Sequence, residues 1–214
     1  MIYETAVVLR AEIDDASVET FKALVTSVIK EYKGEVVLAD DWGARTFSQP
    51  TEHGTRRGRY LYFLYSSENG AVNMELERRF RISDDCFKFL IILKGEEKLR
   101  AKLMKEYKNP FVAVPVDENF EMDDMGGSDS MNGGVGAGGG RRFSRRKNCM
   151  FLATKTEPDW KRPQSYRWLV NEFGKISPRR ISGLSSKYQR MATREIKRAR
   201  NIGLIGYMTA ETTY

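Results

Sequence analysis

The amino-acid sequence predicts an α+β protein, in which a four-stranded antiparallel sheet with two helices is linked to a small, basic and mainly helical module. Two observations indicate separate parts. Residues 126–140 contain eight glycines, and the charge changes sign across this stretch. Residues 1–140 carry 18 Lys and Arg against 24 Asp and Glu, whereas residues 141–214 carry 18 against 5. The chain therefore combines a mildly acidic part with a strongly basic part.

The first 94 residues follow the order strand, helix, strand, strand, helix, strand. Residues 3–9 alternate like a half-buried strand, and residues 36–38 begin the second strand. The helix between them can be capped by Asp14 or Asp15, and Gly34 can end it in the left-handed conformation. Its apolar residues recur at spacings of three and four: Val18, Phe21, Val25, Val28, Ile29 and Tyr32.

The third strand, residues 59–65, is apolar on both faces; a short helix over residues 70–81 and an apolar fourth strand, residues 86–93, follow it. This is the order of the ferredoxin-like split βαβ sandwich, whose two helices cover one sheet face. Tyr60 and Tyr62 on the free face could receive RNA bases or another protein. Because the segment departs from the RNA-recognition-motif pattern after Gly58, we favour a protein-binding face.

Residues 95–118 are predicted to extend this domain, and residues 119–140 to form a glycine-rich flexible linker before the module at 141–214. The extension begins with a short helix that includes Leu103 and Tyr107. It continues as an apolar strip that needs a covering surface: Phe111, Val112, Val114 and Val116. A linker of this kind raises the concentration of one part around the other to the order of millimolar, so we expect an intramolecular contact.

The basic module begins with a dense run of cations, which predicts a flexible RNA-binding arm, with a solubilising tail as the alternative. The run consists of Arg141, Arg142, Arg145, Arg146 and Lys147. Tyr166, Leu169, Val170 and Phe173 then fall at helical spacing, so residues 163–173 are predicted to form a core helix ended by Gly174. Trp160 and Trp168 are expected to pack with that helix.

The loop over residues 174–183 presents Arg179 and Arg180 after a proline and between glycines, and arginine suits phosphate oxygens and guanine edges. The final predicted helix, residues 186–202, carries five cations in a stripe about 100° wide, and Glu195 is its only acid. A merely solvated helix would mix acids into this face. The predicted RNA contacts beyond the arm are Lys175, Arg179, Arg180, Lys187, Arg190, Arg194, Lys197, Arg198 and Arg200.

The sequence carries no sign of a membrane span or a signal peptide, and we expect a soluble, cytoplasmic protein. Cys86 and Cys149 make neither a disulfide framework nor a zinc set, and the single histidine, His53, suits a solvated loop. We therefore predict no metal and no cofactor. An enzyme on this fold, such as an acyl-phosphate hydrolase, is disfavoured because no glycine-rich anion loop follows the first strand.

The basic module resembles bacterial small-subunit ribosomal protein eighteen through its 174–183 loop, Gln189-Arg190 and the run 196–200. It departs from that family at Gly206, where proline is usual, and at Leu152 and Ser185, where many members carry cysteine. Residues 1–94 resemble small-subunit ribosomal protein six through the opening residues 1–4, the 41–45 segment and the order of strands. Residues 111–116 would then correspond to that family's C-terminal tail, which lies against its partner.

The two resemblances imply a structural constituent of the small ribosomal subunit that binds ribosomal RNA in the central domain, or platform, and supports its assembly. The implied partners are small-subunit RNA, neighbouring small-subunit proteins and the two halves of this chain, with no membrane and no catalysis. A non-ribosomal RNA chaperone or regulator, which would use the same cations, is the alternative.

Overall fold

The computed structural model describes residues 1–51, 54–111 and 149–208. The N-terminal part consists of β1 (Ile2–Arg10), α1 (Asp15–Glu31), β2 (Glu35–Thr46), β3 (Arg57–Ser66), α2 (Ala71–Ile82), β4 (Cys86–Gly95) and α3 (Arg100–Glu106). The C-terminal part contains α4 (Met150–Ala153), α5 (Arg179–Ser182) and α6 (Ser186–Asn201). Short 3-10 helices occupy Glu97–Leu99, Pro163–Ser165 and Arg167–Leu169. His53, the predicted linker and the predicted arm lie outside the described residues.

The sheet has the strand order β2-β3-β1-β4, and every pair of neighbours is antiparallel. This order confirms the predicted ferredoxin-like α+β fold. Helices α1 and α2 cover one face, where their apolar residues join Leu61, Phe63 and Tyr65 of β3 in one buried cluster. Because successive strand residues point to opposite faces, Tyr60 and Tyr62 lie on the other side of the sheet.

The second face of the sheet is covered by the C-terminal part of the chain. Tyr60, Tyr62 and Leu64 belong to the same buried cluster as Trp160 and Ile196, and Trp160 has no exposed surface. The two parts of the chain therefore share one apolar core, which lies on the face of the sheet opposite α1 and α2.

The turn after α1 differs from the prediction in one residue. Lys33, with φ of 57°, takes the left-handed conformation that Gly34 was expected to take. Gly34 is instead required for space, because a Cβ atom there would lie 2.7 Å from the carbonyl oxygen of Ser66. The side chain of Asp14, at the N-cap of α1, makes no capping hydrogen bond to the helix.

The predicted helix over residues 163–173 is wrong: two 3-10 helices are followed by a hairpin in which Val170 pairs with Ile176. The side-chain oxygen of Asn171 accepts the backbone N–H of Lys175 at 2.6 Å, which turns the chain back instead of continuing a helix. Tyr166 and Leu169 are buried as expected. Trp168 and Phe173, which were expected in the core, are 44% and 72% exposed.

Candidate nucleic-acid interface

Helix α6 separates its apolar and cationic residues onto different sides. Its N-cap is Ser185, whose side chain accepts the N–H of Tyr188 at 3.4 Å. Ala192, Ile196 and Ala199 are buried, because residues at spacings of three and four share one helical face. The exposed cations lie on the other side: Lys187, Arg190, Arg194 and Lys197. The helix therefore presents four of the five cations of the predicted stripe to solvent, and the fifth, Arg198, is half-buried.

The one acid of α6 points away from most of this stripe. Glu195 is 8% exposed, accepts the backbone N–H of Trp160 at 3.2 Å and pairs with Arg198 at 2.5 Å. Arg198 is thus partly neutralised within the chain. Among the described residues, no acidic side chain forms an ion pair with the four exposed cations of the stripe, so their charge is available to a polyanion.

The Arg179–Arg180 pair lies on a helical turn, because residues 179–182 form α5 instead of the expected loop. Pro178 precedes the turn, and Gly183, with φ of 72°, ends it in the left-handed conformation. Both arginines are exposed. The Nε atom of Arg179 donates to the carbonyl oxygen of Leu184 at 3.1 Å, which orients its guanidinium group.

Arg200 is engaged within the protein. Its guanidinium group donates to the carbonyl oxygen of Gly174 and lies 5.5 Å from the ring centre of Tyr207. Its Nε atom is buried without a hydrogen-bond partner among the described residues. Lys175 is exposed on the hairpin in which Val170 pairs with Ile176, the same hairpin that contains Gly174. Arg200 therefore connects the hairpin to α6 in addition to contributing charge.

A groove runs between β4 and the C-terminal half of α6. Its wall is formed mainly by cations of α6 together with one residue of the sheet and one near the C-terminus: Arg194, Lys197, Arg198, Arg200, Leu90 and Tyr207. Four positive side chains around one open groove favour an anionic ligand, and the presence of Leu90 means that both parts of the chain build it.

The contact between the two parts is polar as well as apolar. Tyr60 donates through Oη to the carbonyl oxygen of Ile202 at 2.8 Å, and Ser48 donates through Oγ to that of Leu204 at 2.8 Å. The rings of Trp42 and Trp160 lie 5.8 Å apart. Burial raises the pKa of the Tyr60 hydroxyl above its usual value, so this donor stays protonated at neutral pH.

A buried ion-pair network crosses the same contact. The Glu4 side chain is completely buried, and its two oxygens pair with Lys161 at 2.6 Å and Lys94 at 2.7 Å. Lys161 also pairs with Asp159 at 3.0 Å. Burial opposes the charge of Asp159, but the attraction of Lys161 and Lys94 and the hydrogen bonds from Lys161 together hold the pKa of this carboxyl below its usual value.

The network was not predicted, although β1 carries a signal for it. Ile2, Ala6 and Val8 share the side of β1 on which Glu4 lies, and this side is otherwise apolar. A charge in such a position needs a buried partner, but alternation along the strand does not indicate where the partner lies in the sequence.

Part of the predicted interface falls outside the described residues, namely Val112, Val114 and Val116 and the five cations of the arm, Arg141, Arg142, Arg145, Arg146 and Lys147. Phe111 is described. Its ring lies 5.3 Å from that of Trp42 and 4.5 Å from the guanidinium carbon of Arg45. Tyr107, from the same extension, accepts the Nε1–H of Trp42 at 2.9 Å. Residues 107–111 therefore pack beside the aromatic face of the sheet.

Within the described residues, no group of His, Cys, Asp and Glu side chains could hold a metal ion. Cys149 lies near Ser185, which stands where many ribosomal protein eighteen sequences carry a cysteine. Burial raises the pKa of the Cys149 thiol, but hydrogen bonds from Ser185 and from the backbone of α4 lower it, and the net result is below the usual value. Among residues 1–51, 54–111 and 149–208, no helix has the length and apolar character needed to cross a bilayer.

Comparisons with known proteins match two families. Residues 154–205 match the family described as ribosomal protein S18, and residues 2–93 match ribosomal protein S6. Small ribosomal subunit protein bS18 of Desulfosudis oleivorans is 54% identical over 69 residues, which cover 32% of this chain and 83% of that protein. The bS18 protein of Citrifermentans bemidjiense is 56% identical over 66 residues, which cover 30% of this chain and 72% of that protein. The crystal structure of 30S ribosomal protein S6 from Thermotoga maritima has 21% identity and a TM-score of 0.41, and the match covers 49% of this chain and 94% of that one.

The sheet, the cationic helix, the two family matches and the bS18 relatives define a ribosomal protein of the small subunit. More specifically, the chain belongs to the ribosomal protein S18 family through its C-terminal part, and its N-terminal part matches the ribosomal protein S6 family. It is a structural constituent of the small subunit of the cytoplasmic ribosome, and both families are structural rather than enzymatic. The predicted fusion of the two is confirmed.

Proposed function

We propose that this chain binds the central domain, or platform, of small-subunit ribosomal RNA through α6 and supports assembly of the subunit. Its N-terminal and C-terminal parts would act together as two partners joined in one polypeptide. The observation that carries the proposal is the exposed stripe of Lys187, Arg190, Arg194 and Lys197, which is free of ion pairs among the described residues. Counterion release from the RNA backbone would make this contact strongly dependent on salt.

The remaining cations extend the proposed RNA surface. Arg179 and Arg180 are exposed on α5, Lys175 is exposed on the hairpin, and Arg198 and Arg200 line the groove beside α6. Arg198 is the weakest contributor, because Glu195 already pairs with it. The arm at residues 141–147 is proposed to add five cations to the same surface, on sequence grounds.

The N-terminal part is proposed to act as a scaffold for the RNA-binding part. Support comes from the shared core, from the Tyr60 and Ser48 hydrogen bonds to the backbone after α6, and from the Glu4 network. Neighbouring small-subunit proteins are proposed as further partners.

The R190A/R194A double variant tests the proposed RNA surface. Wild-type affinity for a small-subunit ribosomal RNA transcript should fall by about three to five decades between 50 and 200 mM salt, if roughly six to ten phosphates are contacted. The double variant should bind more weakly, and the slope of log affinity against log salt should become shallower by about two. Nitrocellulose filter binding over a salt series measures both quantities.

The matched control is R78A/R81A, which removes the same charge from α2 on the other side of the sheet, where both arginines are exposed. It should leave the slope unchanged. Equal losses in the two double variants would contradict a localised surface on α6, and a flat salt response of the wild type would contradict RNA binding through phosphates.

A protease recognition site inserted between residues 126 and 140 tests the proposed intramolecular pair. After cleavage, the two parts should remain together during size-exclusion chromatography in 150 mM salt and should still bind the RNA transcript. The uncleaved insertion variant is the control. Separation of the cleaved parts at micromolar concentration would show that the contact depends on the tether alone.

A further inference from the structure

Phe173 lies at the tip of the 170–176 hairpin with 72% of its surface exposed. Its ring makes no aromatic or cation contact with any other described residue. The backbone beneath it is held firmly, because the side-chain oxygen of Asn171 accepts the N–H of both Phe173, at 3.1 Å, and Lys175, at 2.6 Å. The exposure of Phe173 is therefore a consequence of a defined hairpin.

The next residue connects the hairpin tip to the cationic groove. Gly174 has φ of 74°, and a Cβ atom there would lie 1.9 Å from the carbonyl oxygen of Tyr207. The carbonyl oxygen of Gly174 also accepts a hydrogen bond from Arg200. Since Tyr207 and Arg200 both line the groove beside α6, Gly174 joins the hairpin tip that carries Phe173 to the wall of this groove.

The groove offers positive charge, and the hairpin tip beside it offers an exposed aromatic ring. The cations of the groove attract phosphates, whereas an exposed ring gains most from a flat partner that can stack on it. A purely apolar protein partner fits less well, because the residues flanking the tip, Glu172 and Lys175, are both charged and exposed. Unpaired nucleotides combine a phosphate with a stacking base.

We propose that Phe173 stacks on an unpaired base of small-subunit ribosomal RNA whose backbone enters the groove lined by Arg194, Lys197 and Arg200. This inference rests on the proposed RNA-binding function and adds a base contact to what is otherwise a surface for phosphates. Stacking tolerates any base, so Phe173 contributes affinity for an unstacked nucleotide rather than recognition of its identity.

The F173A variant of the full chain tests the stacking contact. Its affinity for the small-subunit ribosomal RNA transcript should fall by about 5- to 150-fold, with an unchanged salt slope because no charge is removed. F173W should restore binding, since a larger ring stacks at least as well. M74A is the matched control, because Met74 is 76% exposed on α2, and its affinity should equal that of the wild type. Circular dichroism of all variants checks that the fold is unchanged.

Unchanged affinity of F173A, while R190A/R194A still loses affinity, would overturn the stacking contact and leave the proposed function intact. Failure of the proposed function would instead be seen in the wild type, as a flat salt response. A photoreactive benzophenone amino acid at position 173 distinguishes the partners within assembled small subunits. A crosslink to an unpaired nucleotide supports the proposal, and a crosslink only to a neighbouring protein overturns it.

Discussion

Replacing Trp160 with alanine is expected to lower the free energy of unfolding by about 3–5 kcal/mol, the range for removing a large aromatic side chain from a core. Trp160 is completely buried, its ring lies 5.8 Å from that of Trp42, and its carbonyl oxygen accepts the Tyr166 hydroxyl at 3.0 Å. The ring fills space between the two parts of the chain, so its loss leaves a cavity at their contact. Urea unfolding followed by circular dichroism measures the change.

Trp168 provides a matched control for this prediction. It is also a tryptophan of the C-terminal part, but it is 44% exposed. Its ring lies 6.4 Å from that of Phe151, and its Nε1–H donates to the carbonyl oxygen of Ser165 at 3.2 Å. The W168A variant should lose less than about 1.5 kcal/mol, because much of its apolar area is already in water. Similar losses of unfolding free energy in W160A and W168A would contradict an apolar core shared by the two parts of the chain.

Replacing Lys161 with methionine is expected to lower the free energy of unfolding by about 3 kcal/mol. Removal of one partner of a buried ion pair usually costs about 3–5 kcal/mol, since the other charge stays buried. The loss should lie at the lower end here, because Lys94 still pairs with Glu4 at 2.7 Å. The E4Q/K161M double variant should recover part of the loss, because it also removes the buried charge of Glu4. The recovery should be incomplete, because Asp159 still lacks its Lys161 partner, and urea unfolding provides the comparison.

K98M is the control for this variant, since Lys98 is 92% exposed and its Nζ lies 3.9 Å from Glu96. Its stability should change by less than about 0.5 kcal/mol. A K161M protein as stable as the wild type would show that the Glu4 network contributes nothing to the contact between the parts.

The same network should set the limits of stability at acid and alkaline pH. The pKa of Asp159 is lowered in the folded protein, so its contribution is present above the unfolded value of about 3.9 and is lost as the pH falls through the folded value. Burial opposes the charge of Lys161, but Glu4 and Asp159 raise its pKa. Its contribution is therefore complete below about pH 10.4 and is lost as the pH rises further. K161M should reduce this alkaline decline without abolishing it, because burial also raises the pKa of tyrosines such as Tyr60 and Tyr62.

The elements of the N-terminal part could be predicted because each depends on local periodicity. A continuous apolar run in β3 is required by a strand that is buried on both faces, and apolar residues at spacings of three and four in α1 are required by the geometry of a helix. The cationic stripe of α6 could be predicted in the same way. Such patterns report which side of an element is buried, but they do not report what covers it.

The misplaced helix at residues 163–173 shows the limit of this reasoning. Tyr166, Leu169, Val170 and Phe173 have helical spacing, yet the Asn171 side chain and the Val170–Ile176 pair turn the chain into a hairpin. A few hydrogen bonds therefore outweighed a short apolar pattern, and Phe173 became exposed.

The order of elements in the ferredoxin-like part, the charge of each part and the stripe of α6 follow from the amino-acid sequence alone. Three features follow only from the folded chain: the C-terminal part covers Tyr60 and Tyr62, Glu4 pairs with a lysine 157 residues away, and Arg200 connects a hairpin to the groove. The physical reason is that burial and charge are properties of single residues and their neighbours. The choice of partner depends on how two surfaces, distant in sequence, fit together.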